Sequence, residues 1–134
     1  MDKQRRVLDS FLKFTRDQIS KVTIHHVESG AIKVGDRLVR DNIAVTADEI
    51  IRDWQASVIA ELTEDDFEPL IASEPEMILL GTGTRPVFPP RELVFSLARR
   101  GIGLEAMDTA AACRTFNILI GDGRRVAAVL IIKE

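Results

Sequence analysis

Two short segments concentrate the residue types that could hold or transform a ligand: Gly81-Thr82-Gly83-Thr84-Arg85 and Cys113-Arg114-Thr115-Phe116-Asn117. Glycines let backbone N–H groups approach a phosphate or carboxylate closely, and the Arg85 guanidinium offers such an anion a planar fork of donors. The loop lacks the Lys-Ser/Thr ending of a Walker loop and the third glycine of a dinucleotide fingerprint, so its spacing specifies no nucleotide. Its other reading is a tight turn after a buried strand, with Arg85 and Pro86 fixing the exit. In the second segment, Cys113 could act as a nucleophile if a cation or a positive helix end held it as thiolate. No His, Asp or Asn is spaced to complete a triad with it, and the alternative is a small residue packed against a sheet. Arg114 with Thr115 or Asn117 could hold an anion, while an ion pair from Arg114 to Asp108 or Glu105 is the structural counterpart. The binding candidates are therefore Gly81, Thr82, Gly83, Thr84, Arg85, Cys113, Arg114, Thr115 and Asn117, with no catalytic residue among them.

Other chemistry-bearing residues are better explained without a ligand. His25 and His26 are adjacent, so a regular strand points them to opposite faces and they cannot address one metal together. The lone Cys113 has no partner for a disulfide and no neighbouring thiol or His cluster for zinc, which fits a reducing, cytoplasmic setting without metal or cofactor. Trp54 reads as a core anchor. The pairs Arg99-Arg100 and Arg124-Arg125 read as solvated helix and turn ends, or as contacts for an acidic protein surface. Phe88-Pro89-Pro90 reads as a rigid lead into a helix, with no binding role assigned.

Composition bounds the partners. The 134 residues carry 46% hydrophobic and 29% charged side chains and a formal charge of -3. That is one ordinary globular domain with no broad basic face for nucleic acid. No apolar run has the roughly 18 residues of a membrane span, and no signal peptide opens the chain.

The elements that must position the two segments follow from periodicity. Val7, Leu8, Phe11, Leu12 and Ile19 predict an amphipathic helix over residues 2–20, an extension (1–21) preceding a single domain (22–134) and a surface through which a homodimer is expected. Short apolar pieces at 22–27, 31–34, 37–39 and 43–45, separated by glycine and Asx turns, predict an antiparallel meander. A helical turn is expected from Thr46 or Asp48 through Ile50, Ile51 and Trp54, and residues 57–62 read as another strand. Thr63 followed by Glu64, Asp65 and Asp66 signals a helix start. Residues 77–80 read as a buried strand, 90–100 as a helix ended by Gly101, and 102–106 as a second strand parallel to the first. For 109–119 the pattern admits helix or hairpin; Ala110 to Ala112 and an Asp108 N-cap favour helix, leaving 126–132 as the terminal strand.

Taken together, Leu80-Gly81-Thr82-Gly83, Arg100-Gly101-Ile102, Glu105-Ala106-Met107-Asp108-Thr109, Ala111 to Asn117 and Gly123-Arg124-Arg125-Val126-Ala127-Ala128 closely resemble the Mth-type domain family. That family comprises small proteins of uncharacterised function and includes a mitochondrial respiratory complex I assembly factor. The resemblance covers roughly residues 30–132. It implies an α/β fold, a three-layer single domain with a mixed central sheet and an additional antiparallel β portion, and it implies helix over 109–119. It also implies a non-enzymatic protein-binding or assembly role, with a protein partner of the membrane-complex subunit kind. The competing expectation is a small-molecule enzyme or ligand sensor that binds an anionic metabolite at the Gly81 to Arg85 loop.

Overall fold

The computed structural model describes residues 23–28, 30–51, 54–56 and 58–133, so the helix expected over 2–20 and the homodimer contact assigned to it lie outside the described residues. The chain runs β1 (Ile24–Glu28), β2 (Ala31–Val34), β3 (Arg37–Val39), β4 (Ile43–Val45) and β5 (Ile50–Ile51). Two 3-10 turns follow (Ile59–Glu61 and Glu64–Phe67), then α1 (Glu68–Ile71), β6 (Met77–Gly81), α2 (Arg91–Arg99), β7 (Gly103–Met107), α3 (Thr109–Gly121) and β8 (Val126–Leu130).

β1, β2 and β3 form an antiparallel sheet, its second hairpin turning at Gly35-Asp36 so that Val34 faces Arg37. A five-stranded mixed sheet has the order β5-β4-β8-β6-β7, with β6 parallel to both β7 and β8, and β4 antiparallel to β8. Period-two alternation in the central strands builds a core on each face. Ile78, Leu80, Ala127 and Val129 join the side covered by α1, α2 and Trp54. Leu79, Val126, Ala128 and Leu130 join the side covered by α3 and the small sheet, through Cys113, Phe116, Ile24 and Ile32. Strands buried on both faces need no polar alternation, which is why β6 and β8 are near-continuous apolar runs.

Three expectations are corrected. The fourth piece of the meander, β4, leaves the small sheet and pairs with β8, because Ile43, Ala44 and Val45 are all buried and such a strand needs a covered sheet on both sides. The turn expected to be helical from Thr46 is a hairpin link: the Thr46 hydroxyl accepts from the N–H groups of Asp48 and Glu49 at 3.2 and 3.1 Å, and Ile50–Ile51 pairs back onto β4. Within 57–62, Ile59–Glu61 is a 3-10 turn rather than a strand, which puts Ile59 and Leu62 three residues apart and both into the core.

Helix ends are closed as their residues dictate. Thr63 and Asp66 form a reciprocal capping box. Asp108 caps α3 by accepting from Ala111 N–H at 2.8 Å. Arg100 ends α2 on Glu68 at 2.9 Å, Arg124 pairs with Glu76, and Arg125 Nε donates to Glu74 O at 3.1 Å, so Arg100 and both members of the second basic pair tie separate elements together. Trp54 is core, in edge contact with Phe67 at 5.5 Å.

Candidate functional site

The glycine loop leaves the C-terminal end of β6 and packs against the start of α3. A Cβ on Gly81 would lie 3.0 Å from Thr109 Cα and 3.1 Å from Ala112 Cβ, tighter than ordinary van der Waals contact, so this close approach favours glycine. Thr109, buried, closes the joint: its hydroxyl accepts from Gly83 N–H at 2.8 Å and donates to Ile131 O at 2.7 Å, while its own N–H donates to Gly83 O at 2.8 Å. Gly83 has φ 106, the left-handed region that permits this return. Thr82 N–H donates to Met107 O at 2.8 Å. The Thr82 hydroxyl donates to Arg85 O at 2.7 Å and accepts from Val87 N–H at 3.1 Å. The N–H groups of Thr82 and Gly83 thus point into the protein, and the loop is a fixed turn with Thr84 and Arg85 on its exposed side.

The residues expected on α3 separate. Cys113 is buried, and that burial pushes its thiol up to about 12, with Asp108 adding to the rise and Arg114 opposing it. It is protonated at neutral pH. Asn117 makes a two-bond clamp on the first strand: Ile24 N–H donates to Oδ1 at 2.9 Å, and Nδ2 donates to Ile24 O at 2.6 Å. Arg114 is exposed and Thr115 half-buried. Neither Arg114 nor Arg85 has an ion-pair partner among the described residues, so the expected bridge from Arg114 to Asp108 or Glu105 is not made there.

Beside the loop is a half-open pocket of about 170 Å³, where the turn before β2 (Gly30, Ala31), the loop (Gly83, Thr84), the start of α3 (Asp108 to Ala110) and Ile131–Ile132 meet. Only Gly83 and Thr84 of the sequence candidates line it. The loop then emerges as Val87 and Phe88, the latter 92% exposed. Sequence reasoning missed Thr109, the pocket and Phe88. The available signal was an aromatic residue set among Pro86, Pro89 and Pro90 in a segment without helical or strand periodicity.

Residues 24–131 match the family described as "Protein of unknown function (DUF498/DUF598)". The chain belongs to that family. DUF498 is the Mth-type domain family, and the human NADH dehydrogenase [ubiquinone] 1 alpha subcomplex assembly factor 3 is among this chain's relatives, 36% identical over 80 residues that cover 58% of this chain and 44% of that protein. The "13 kDa major membrane protein" of Francisella tularensis is 32% identical over 73 residues, 54% of this chain and 59% of that one. The chain therefore spans about half the length of these relatives. Among solved structures, a Xanthomonas campestris protein is 35% identical with a TM-score of 0.74, over 81% of this chain and 83% of that one. A Mth938-like domain from Bordetella pertussis is 29% identical with a TM-score of 0.64, over 84% and 87%. Among the described residues of this DUF498 domain, no helix is long and apolar enough to cross a membrane.

Proposed function

We propose that this chain is a non-enzymatic protein-binding or assembly module that receives a protein partner on the face formed by its 81–88 loop. The observation that carries the reading is Phe88, held out at 92% exposure between prolines on a loop braced by Thr82. An aromatic side chain on a rigid loop has little freedom to lose on binding, and such residues dominate interface energetics. Exposed Arg85 and Arg91 flank it and favour an acidic rim on the partner, with exposed Glu92 offsetting part of that charge. Similarity to an assembly factor of NADH dehydrogenase supports a membrane-complex subunit as the partner class. The cytoplasm, as the place of a reduced buried thiol, belongs to the same proposal.

The geometry supports association above anion-metabolite chemistry. The N–H groups of Thr82 and Gly83 are engaged internally, the Asp108 carboxylate occupies the start of α3, and Cys113 is buried and protonated. Affinity capture from host-cell extract with the wild-type chain and with Phe88→Ala tests the reading. One specific partner is expected with wild type, its recovery falling about tenfold or more with Phe88→Ala. Recovery of general chaperones alone, or equal recovery by both proteins, would overturn it.

A further inference from the structure

The loop after β6 carries an aromatic projection and supplies part of the wall of a hollow of matching size, and we infer that a second copy of this chain docks there, each Phe88 ring seated in the other copy's pocket. The inference rests on the docking face proposed above and names one occupant of it.

Size supports the match. A cavity of roughly 150 Å³ lined by apolar side chains holds one benzene ring, and the pocket beside the glycine loop is about 170 Å³. Its walls are mainly the apolar surfaces of Ala31, Ile32, Ala110, Ile131 and Ile132. Phe88 does not turn back into its own pocket, since its side chain stands in solvent.

Charge supports it as well. Among the described residues, the one ionisable side chain on the pocket wall is Asp108, whose Oδ1 accepts a single described hydrogen bond, from Ala111 N–H. A carboxylate has about four acceptor sites, so this group retains capacity for a guanidinium. Arg85, three residues before Phe88, is exposed and makes no ion pair among the described residues. A Phe88 ring entering the neighbouring pocket brings an Arg85 towards an Asp108 from the other copy.

Position favours closure. The pocket takes Gly83 and Thr84 from the very loop that projects Phe88, so the two complementary features lie within a few residues of each other along the chain. A twofold axis passing between them satisfies both at once, whereas widely separated features would propagate an open chain of subunits. An interface built on two such ring contacts is small, which places the association in the weak, concentration-dependent class.

The test is sedimentation equilibrium of the full chain from about 1 µM to about 1 mM, a range suited to weak association. Alongside it, the methyl resonances of Ala31 and Ala110 are followed by NMR. The wild-type mass is expected to rise from monomer towards dimer, with both methyl signals moving upfield under the ring current as it does. Phe88→Ala, which removes only an exposed side chain, should remain monomeric and keep its methyl positions. Ala110→Leu, which fills the pocket, should do the same. Mixing these two variants should restore association, because one intact ring and one open pocket then meet. A wild-type chain monomeric throughout, a dimer indifferent to Phe88→Ala, a dimer without methyl shifts, or a mass growing beyond dimer would each overturn the inference. A monomeric result leaves Phe88-dependent capture of a foreign partner intact, so the two readings fail separately.

Discussion

Cys113 and Asn117 share one helix and both resemble chemistry-bearing residues in the sequence, yet each is engaged with the fold. For Cys113 the consequence is a pH dependence. The native thiol keeps its proton to about pH 12, chiefly through burial, whereas an unfolded thiol releases it near 8.5. Between those values the unfolded state binds fewer protons than the native state, so stability falls as pH rises. The slope approaches about 1.4 kcal/mol per pH unit, and the contribution is complete below about pH 8. Urea titrations from pH 7 to 10 should show this decline in the wild type and a flatter profile in Cys113→Ala. Equal slopes would remove the thiol as its source. Asn117 makes a different prediction: Asn117→Ala leaves both polar groups of Ile24 without their clamp and should cost about 1–3 kcal/mol, with faster amide exchange at Ile24. Residue types could nominate these positions, but the contacts between Asn117 and Ile24 span 93 residues, and no local pattern carries that information.

Between elements, the decisive joint is where β6 meets α3. Gly81→Ala pushes a methyl group onto the backbone of Thr109, a contact that no rotamer change relieves. About 1–3 kcal/mol of destabilisation is expected by thermal or urea unfolding. Thr109→Val keeps the shape but leaves Gly83 N–H and Ile131 O without their shared hydroxyl, again about 1–3 kcal/mol. Retention of full stability in either variant would show that the joint can relax. The glycine at this joint was legible as a strand-ending turn. Its reason was not, because close approach depends on which helix returns to that strand end. The strands themselves show the same division. Apolar runs at 77–80 and 126–132 and the Asp108 cap announced β6, β8 and α3. The three residues of β4 looked like a continuation of the meander, since a short apolar strand does not declare which sheet will bury it.

Across the whole molecule, one sheet with a core on each face leaves the C-terminal end of β6 as the place where loop, helix start, pocket and aromatic projection come together. The family resemblance implied this architecture, and membership in DUF498 together with similarly folded structures agrees with it. Phe88 was legible only as a prolyl-flanked lead into α2, because solvent exposure of a single ring is a property of the finished surface. Since Phe88 makes no contribution to the core, Phe88→Ala should unfold within about 0.5 kcal/mol of the wild type. That separation of stability from binding makes it the sharpest probe of the central claim. Quantitative capture from host extract with equal amounts of folded wild-type and Phe88→Ala chains is the direct measurement. The account predicts a specific protein partner held by the wild type and lost about tenfold or more by the variant; equal recovery by two equally stable proteins would contradict it.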